Sequence, residues 1–161
     1  MVVGIPQPAA AAVVTGVRVN AAEARMIRLV NAARVQAGMP TLVLAPGYTD
    51  VARRWSRAMS ARHTLGHNPR LAANLSVAGG RTWRAVGENV AFGYSAGVIF
   101  GMYMRSPRHR ANILDRSYRY VGIGWVEAGS GRGYTTLVFS NTYSAGYGPS
   151  RTVPARCTSH R

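Results

Sequence analysis

The chain has 161 residues, a length typical of one domain whose hydrophobic core needs no disulfide or metal to hold it. Hydrophobic residues make up 47% of the chain and charged residues 16%, which indicates a folded protein rather than a disordered one. No uninterrupted apolar run approaches the roughly 20 residues needed to cross a bilayer. A membrane-spanning protein is therefore not expected, and we expect a monomer.

The net charge of +15 comes from 20 basic residues, every one of them arginine. Such a charge attracts nucleic acids, anionic lipids and acidic cell-envelope polymers. However, the arginines are scattered from Arg18 to Arg161 without a block of five or six, and exclusive arginine in an Ala- and Gly-rich chain is typical of a GC-rich genome. A solvated basic surface is favoured, and nucleic acid is not the expected partner.

The two ends of the chain differ in composition from its middle. Residues 1–16 are apolar and small, and no basic residue precedes Arg18, so residues 1–19 are interpreted as a flexible leader or the remnant of an export signal. Residues 20–144 form the predicted domain, and residues 145–161 a flexible tail. Cys157, the single cysteine, lies in that tail and excludes an intramolecular disulfide.

Two amphipathic helices are predicted in the first third of the chain. Asn20 followed by Glu23 is typical of a capping box, and an apolar stripe then runs to Gly38, with Arg34 outside the stripe. After a short link over residues 41–44, a second helix opens near Pro46 and ends before Gly66. Its apolar stripe consists of Tyr48, Val51, Ala52, Trp55, Ala58 and Met59. Residues 67–84 are interpreted as a long irregular segment.

The second half of the chain predicts shorter elements. A short apolar segment covers residues 88–92, and a helix follows over residues 95–105. Ser106 and Pro107 are typical of an N-cap and a first helical residue, which predicts another short helix ending at Leu114. Residues 120–126 and 134–143 predict two strands of a hairpin, and Gly122 and Gly124 share one strand face that another element can approach closely. The predicted fold class is α+β, with helices covering a mainly antiparallel sheet.

The chain has none of the motifs typical of nucleotide binding, zinc proteases, thiol chemistry or serine esterases. Of its five acidic residues, Glu88 is the one that neither a helix cap nor an element end explains. A buried glutamate needs partners, and His67 and His109 are the candidates by residue type. Two imidazoles and a carboxylate form a plausible open zinc site, whereas His63 suits a helix end and His160 lies in the tail.

Five segments, in order, resemble the CAP superfamily (cysteine-rich secretory proteins, antigen 5 and pathogenesis-related proteins), and in particular its bacterial SCP-like branch. Three of them carry candidate residues of a cleft: His67, Glu88 with Asn89, and Ser106 with His109. The five segments are Asn31-Ala-Ala-Arg34, Leu65-Gly-His-Asn68, Gly87-Glu-Asn-Val-Ala91, Met104-Arg-Ser-Pro-Arg-His-Arg-Ala-Asn-Ile-Leu114 and Tyr120-Val-Gly-Ile-Gly124. The resemblance as a whole covers about residues 25–143.

The resemblance implies an α-β-α sandwich, export to the cell envelope or the extracellular space, and a central cleft lined by two histidines and two glutamates. Some members of the family bind zinc or another divalent cation in this cleft. The histidines correspond to His67 and His109 and one glutamate to Glu88, which gives a metal set of at most three ligands. Ser106 stands where the second glutamate is expected, and Tyr103 where a tryptophan is common.

Three functions follow from this pattern. The first is a binding module whose cleft (His67, Glu88, Asn89, Ser106 and His109) takes a divalent metal, a small molecule, a lipid or a cell-envelope ligand. The second is a hydrolase, with Ser106 as nucleophile, His109 as base and Glu88 as orienting group, or with a metal-activated water. The third is a non-specific polyanion or nucleic-acid binder that acts through its arginines.

Overall fold

The computed structural model describes residues 17–144. Within this range no helix is both long and apolar enough to span a membrane. The described residues form five helices and four strands in the order α1 (Ala21–Gln36), β1 (Val43–Leu44), α2 (Pro46–Arg62), α3 (Leu71–Gly79), β2 (Val86–Gly93), α4 (Ala96–Arg105), α5 (Pro107–Ile113), β3 (Tyr120–Glu127) and β4 (Gly133–Ser140).

The four strands form one sheet in the order β1-β3-β4-β2. Strands β3 and β4 are the predicted hairpin, and β2 pairs with β4 in antiparallel register from Val86↔Ser140 to Gly93↔Gly133. Strand β1 pairs with β3 in parallel. The link predicted over residues 41–44 therefore contains a short strand, and the sheet is mixed. The predicted α+β class with a mainly antiparallel sheet is confirmed.

Helices cover both faces of this sheet because the side chains of each strand alternate between two cores. On one face, Val121, Ile123, Leu137 and Phe139 pack with residues of α1 and α4. On the other face, Val138 packs with Tyr48 and other residues of α2 and α3. The molecule is thus the α-β-α sandwich expected from the sequence.

Helix α1 begins at the predicted capping box. The Asn20 side chain accepts a hydrogen bond from the Glu23 backbone at 2.9 Å, and Glu23 accepts one from the Asn20 backbone at 3.0 Å. Met26 and Val30, which belong to the apolar stripe predicted for this helix, are fully buried. The expected position of Arg34 outside the stripe is wrong, because its side chain is also fully buried, among backbone carbonyls that it satisfies.

Helix α2 lies directly against β3, and two glycines allow this approach. A Cβ atom at Gly122 would overlap the backbone of Tyr48 and Thr49, and one at Gly124 would overlap the backbone of Ala52. The Ser56 hydroxyl then donates to the Gly124 carbonyl at 3.1 Å. The predicted close approach at these glycines is confirmed.

Helix α3 corrects the prediction of one long irregular segment over residues 67–84. Leu71, Leu75 and Ala78 recur at helical spacing and pack on the α2 side of the sheet. The helix has only nine residues and lacks a side-chain N-cap, and it is preceded by Asn68-Pro69 and followed by Gly80. Because these flanking residues are typical of turns, the short apolar stripe between them was interpreted as part of an irregular segment.

The ends of the described range bear on the predicted termini. Val17 and Val19, the last apolar residues of the segment interpreted as a leader, are buried in the core that contains α1. Residues 1–16, the predicted tail, Cys157 and His160 lie outside the described residues.

Candidate functional site

Strand β2 carries the predicted glutamate at one edge of the sheet. Its side chains alternate, so that Ala91 joins the core beneath α1 and α4, whereas Val90 packs with Met59 on the α2 side. Glu88 is 7% exposed, and its side chain lies toward the loop that follows α2. From the residues alone Glu88 could equally have been a surface glutamate, and the structure places it among the buried residues.

His67 and Glu88 are brought together across 21 positions of the sequence. The Nδ1 atom of His67 lies 2.8 Å from Oε1 of Glu88, and the Asn68 backbone N–H donates to the same oxygen at 2.9 Å. An ionised carboxylate only accepts, so Nδ1 carries the hydrogen and the lone pair of a neutral His67 ring resides on Nε2. The His67 side chain is 66% exposed, whereas that of Glu88 is 3% exposed. A buried carboxylate thus orients an exposed imidazole.

His109 lies close enough to His67 for the two rings to interact electrostatically. Burial lowers the pKa of His109 below its usual 6.5, and the neighbouring His67 lowers it further. Both effects disfavour the imidazolium form, so His109 is neutral at neutral pH. A neutral imidazole has one nitrogen lone pair with which it can bind a ligand.

Tyr103 lies beneath His109, with the ring centroids 5.1 Å apart and the ring planes at 56°. Burial, and then the charge of Glu88, raise the pKa of Tyr103 well above 10, so its hydroxyl keeps its hydrogen. Within residues 17–144, neither the buried Tyr103 hydroxyl nor Oε2 of Glu88 has a hydrogen-bond partner. The site therefore contains one buried donor and one buried acceptor that the described residues leave unsatisfied.

Asn89 has a different place from the one predicted. It is fully buried, and its Nδ2 atom donates to the His109 backbone carbonyl at 3.0 Å. Asn112, which the sequence reasoning did not single out, donates to Asn89 Oδ1 at 2.9 Å and to the Glu88 carbonyl at 3.2 Å. These two amides attach α5 to the edge of β2 and so position His109. The signal for Asn112 was its place in the segment around Ser106 and His109.

Ser106 occupies the N-cap position of α5, with Pro107 directly after it, as predicted. Its side chain, however, makes no capping hydrogen bond. Among residues 17–144, no hydrogen bond joins the Ser106 hydroxyl to His109. The pairing of nucleophile and base that a serine hydrolase requires is therefore not formed in this structure.

The proposed three-ligand metal set meets a geometric difficulty. In the described part of the chain, no three His, Cys, Asp or Glu side chains are placed to hold one ion. Glu88 Oε1 is already occupied by His67 and by the Asn68 N–H. The residues fit a different arrangement, in which Glu88 supports His67 through a hydrogen bond, as carboxylates commonly support metal-binding histidines.

A surface cavity of about 290 Å³ adjoins His67 and is also lined by Trp55, Met59 and Arg62. Met59 is buried and Trp55 packs against it, as their places on the apolar stripe of α2 predict, but the groove that they line was not predicted. A larger cavity of about 530 Å³ lies along α1, and none of the predicted site residues lines it. The chemistry therefore favours the smaller groove.

Comparison with known proteins gives consistent matches. Residues 27–140 match the family model described as CAP, the cysteine-rich secretory protein family. The chain is 29% identical over 116 residues to the protein YkwD of Bacillus subtilis (strain 168). The matched region covers 70% of this chain and 45% of YkwD. It thus spans less than half of that relative.

Two solved structures share the fold. An outer surface protein from Borrelia burgdorferi superposes with a TM-score of 0.66 at 11% identity, over 73% of this chain and 90% of that one. An extracellular protein containing a SCP domain from Bacillus anthracis str. Ames superposes with a TM-score of 0.65 at 22% identity, over 73% of this chain and 39% of that one. The chain belongs to the CAP superfamily of cysteine-rich secretory proteins, in its bacterial SCP-domain branch.

Proposed function

We propose that this chain is an extracellular or cell-envelope binding module whose ligand is held between His67 and His109. The observation that carries the proposal is the hydrogen bond between the exposed imidazole of His67 and the buried carboxylate of Glu88. Burying a carboxylate costs free energy unless hydrogen bonds compensate for the lost water. Here the hydrogen bond from His67 Nδ1 to Glu88 directs the lone pair of the opposite ring nitrogen outward. The names of two structural relatives, an outer surface protein and an extracellular protein, support the location.

Two kinds of ligand fit this cleft. Zn²⁺ or another divalent cation would be held by His67 and His109, with Glu88 as the hydrogen-bonding partner of His67. A bound ion would keep open coordination positions for donor atoms of a second ligand. A lipid or cell-envelope ligand would enter by way of the groove of about 290 Å³ beside His67. In either case the residues bind and orient, and no bond-breaking step is required.

A hydrolytic reaction remains the alternative, and no specific contact favours it. The serine version would need the Ser106 hydroxyl to approach His109, and Glu88 is hydrogen-bonded to His67 instead of His109. If the chain does hydrolyse a substrate, equal turnover by the wild type and Ser106→Ala would remove the serine version.

Calorimetric titration of Zn²⁺ into the purified chain tests the metal-binding part of this proposal. We expect one ion per chain, with binding abolished in His67→Asn and His109→Asn. In Glu88→Gln the affinity should fall by about 10-fold to 100-fold, because the partner that orients His67 is weakened. His63→Asn is the matched control, since His63 caps α2 at a positive φ of 49° that asparagine tolerates. Binding that persists in both cleft histidine variants would contradict the site.

A further inference from the structure

Two arginines outside the cleft lie on aromatic rings. The Arg132 guanidinium lies 4.3 Å from the ring centroid of Phe92 and 5.0 Å from that of Tyr94. The Arg62 guanidinium lies 5.2 Å from the ring centroid of Trp55. Such contacts hold a long, flexible cationic side chain in one place, which reduces the entropy lost when it binds an anion.

The two arginine contacts lie around one buried cluster. Trp55 and Phe92 pack against the same buried cluster, which contains Met59, Val90 and Tyr134. The ring of Phe92 lies 4.5 Å from that of Tyr134. We call the partly or fully exposed side chains around this cluster the aromatic–arginine strip, which consists of Arg62, Trp55, Phe92, Tyr94 and Arg132.

No carboxylate of the described chain neutralises the strip. The acidic side chains have other partners, for example Arg53 for Glu23, His67 for Glu88 and the Trp125 indole for Glu127. Within residues 17–144, neither strip arginine forms a salt bridge, and the buried Nε of Arg132 has no hydrogen-bond partner. The positive charge of the strip is therefore available to a ligand.

The arrangement of the rings narrows the class of ligand. Base or sugar stacking needs open ring faces, but Trp55 and Phe92 each have an arginine over the ring and pack against the cluster. Tyr94 is 62% exposed, and the Arg132 guanidinium lies over its ring as well. The strip thus presents guanidinium groups, which pair with phosphate oxygens in a planar, two-pronged geometry. A flexible chain of phosphodiesters without aromatic rings fits this surface better than a nucleic acid does.

The strip continues into the candidate cleft. Trp55, Arg62 and His67 all line the groove of about 290 Å³. A polymer held on the strip would therefore pass beside the residue that Glu88 orients. We propose that the aromatic–arginine strip binds a phosphodiester-linked polyol polymer of the cell envelope, an inference that rests on the proposed binding function and specifies its ligand.

Binding of a defined poly(glycerol phosphate) oligomer, measured by calorimetry on the full chain in the presence of a chelator, tests this proposal. We expect Arg132→Ala and Arg62→Ala each to weaken binding by roughly 5-fold to 10-fold and to reduce the slope of log affinity against log salt by about 1. Arg25→Ala and Arg28→Ala remove the same charge from exposed positions on α1, across the sheet, and should change the affinity less than about 2-fold.

A charge-conserving variant separates the held guanidinium from charge alone. Arg132→Lys keeps the charge but loses the planar fork, so it should lose most of the affinity that Arg132→Ala loses. Thermal unfolding of each variant verifies that the fold is intact. Equal losses in the strip and α1 variants would overturn the proposal in favour of a generally basic surface. Tighter binding of an oligothymidylate with the same number of phosphates would overturn the assignment to an envelope polymer.

The two proposals can fail separately. If the wild-type chain binds the polymer at the strip but does not bind Zn²⁺, only the metal-binding part of the proposed function is contradicted. Zn²⁺ binding that depends on the cleft histidines, without polymer binding, would remove only the strip. His67→Asn, which lies at the end of the groove, should leave the salt slope of polymer binding unchanged because it removes no guanidinium.

Discussion

The guanidinium of Arg34 lies inside the core of the sandwich and donates to four backbone carbonyls. It reaches Pro40 and Ile113 at 2.8 Å, Asp115 at 2.9 Å and Tyr118 at 3.2 Å. These carbonyls belong to the segments after α1 and at the end of α5, where the chain leaves regular secondary structure. A single arginine thus connects two loops that strands and helices leave unsatisfied.

Replacing Arg34 by methionine should lower the free energy of unfolding by about 3 kcal/mol or more, because several buried carbonyls lose their donor. Urea denaturation measures this change. Arg28→Met, at an exposed position on the same helix, is the control and should stay within about 0.5 kcal/mol of the wild type. Similar losses in both variants would mean that the hydrogen bonds of Arg34 contribute little.

His109 should make stability depend on pH. Its pKa is lowered in the folded chain, so below pH 6.5 the unfolded chain takes up a proton that the folded chain resists. The contribution of the neutral ring is therefore complete above pH 6.5 and is lost as the pH falls through the folded pKa. The stability difference between wild type and His109→Gln, from urea unfolding at about pH 7.5 and about pH 5.5, should shift against the wild type at the lower pH.

The matched variant for this measurement is His63→Gln, which removes an exposed histidine at the end of α2. It measures the change with pH that the same substitution of an exposed histidine produces, and the value for His109→Gln is compared with it. A difference for His109→Gln that is the same at both pH values would contradict the lowered pKa.

Among the secondary-structure elements, α4 and α5 differ in how they begin. Ser95 caps α4 by accepting from the Val98 N–H at 3.2 Å, whereas Ser106 precedes α5 without such a bond. Ser95→Ala should therefore cost about 1 kcal/mol of unfolding free energy, and Ser106→Ala less than about 0.5 kcal/mol. Thermal or urea unfolding of the two variants side by side checks this. Equal costs would mean that Ser106 caps α5 in solution.

Long, strongly patterned elements were predictable, and short ones were not. α1 and α2 carry an apolar stripe over several turns, and α1 also has a capping box, so their residues alone specify the elements. α3 has only nine residues, and β1 only two. The parallel pairing of β1 with β3 joins Val43 to Tyr120, residues far apart in the chain, and no local pattern contains that information.

At the scale of the whole molecule, the contact between α2 and the sheet depends on Gly122 and Gly124, which have no side chain. Gly124→Ala should lower the free energy of unfolding by about 3 kcal/mol or more, because the new methyl group meets helix backbone that cannot move aside alone. Gly66→Ala is the control, since its Cβ would meet nothing within 4 Å. A tolerated Gly124→Ala, measured by urea unfolding, would mean that α2 can shift away from β3 at little cost.

The sequence indicated which residues belong to the candidate site but not how their side chains are arranged. Segments that resemble the CAP family identified His67, Glu88 and His109, and the structure joins the first two by a hydrogen bond. The role of Asn89 changed, since it faces α5 and holds the His109 carbonyl. Side-chain direction in an edge strand depends on which helices cover each face, and a single segment of sequence does not specify that.

By itself, the sequence determined the α+β class, the long helices, the hairpin, the closely approached glycines and the family, because each depends on a local pattern or on motifs in a fixed order. Only the tertiary structure decided that Arg34 is buried, that Glu88 supports His67 and that two arginines lie on one aromatic cluster. These contacts join residues far apart in the chain, and they form only when α2, β2 and the β3–β4 hairpin pack together. Which charged groups are buried, and which groups they contact, depends on that packing. The periodic spacing of apolar residues, in contrast, is contained in the sequence.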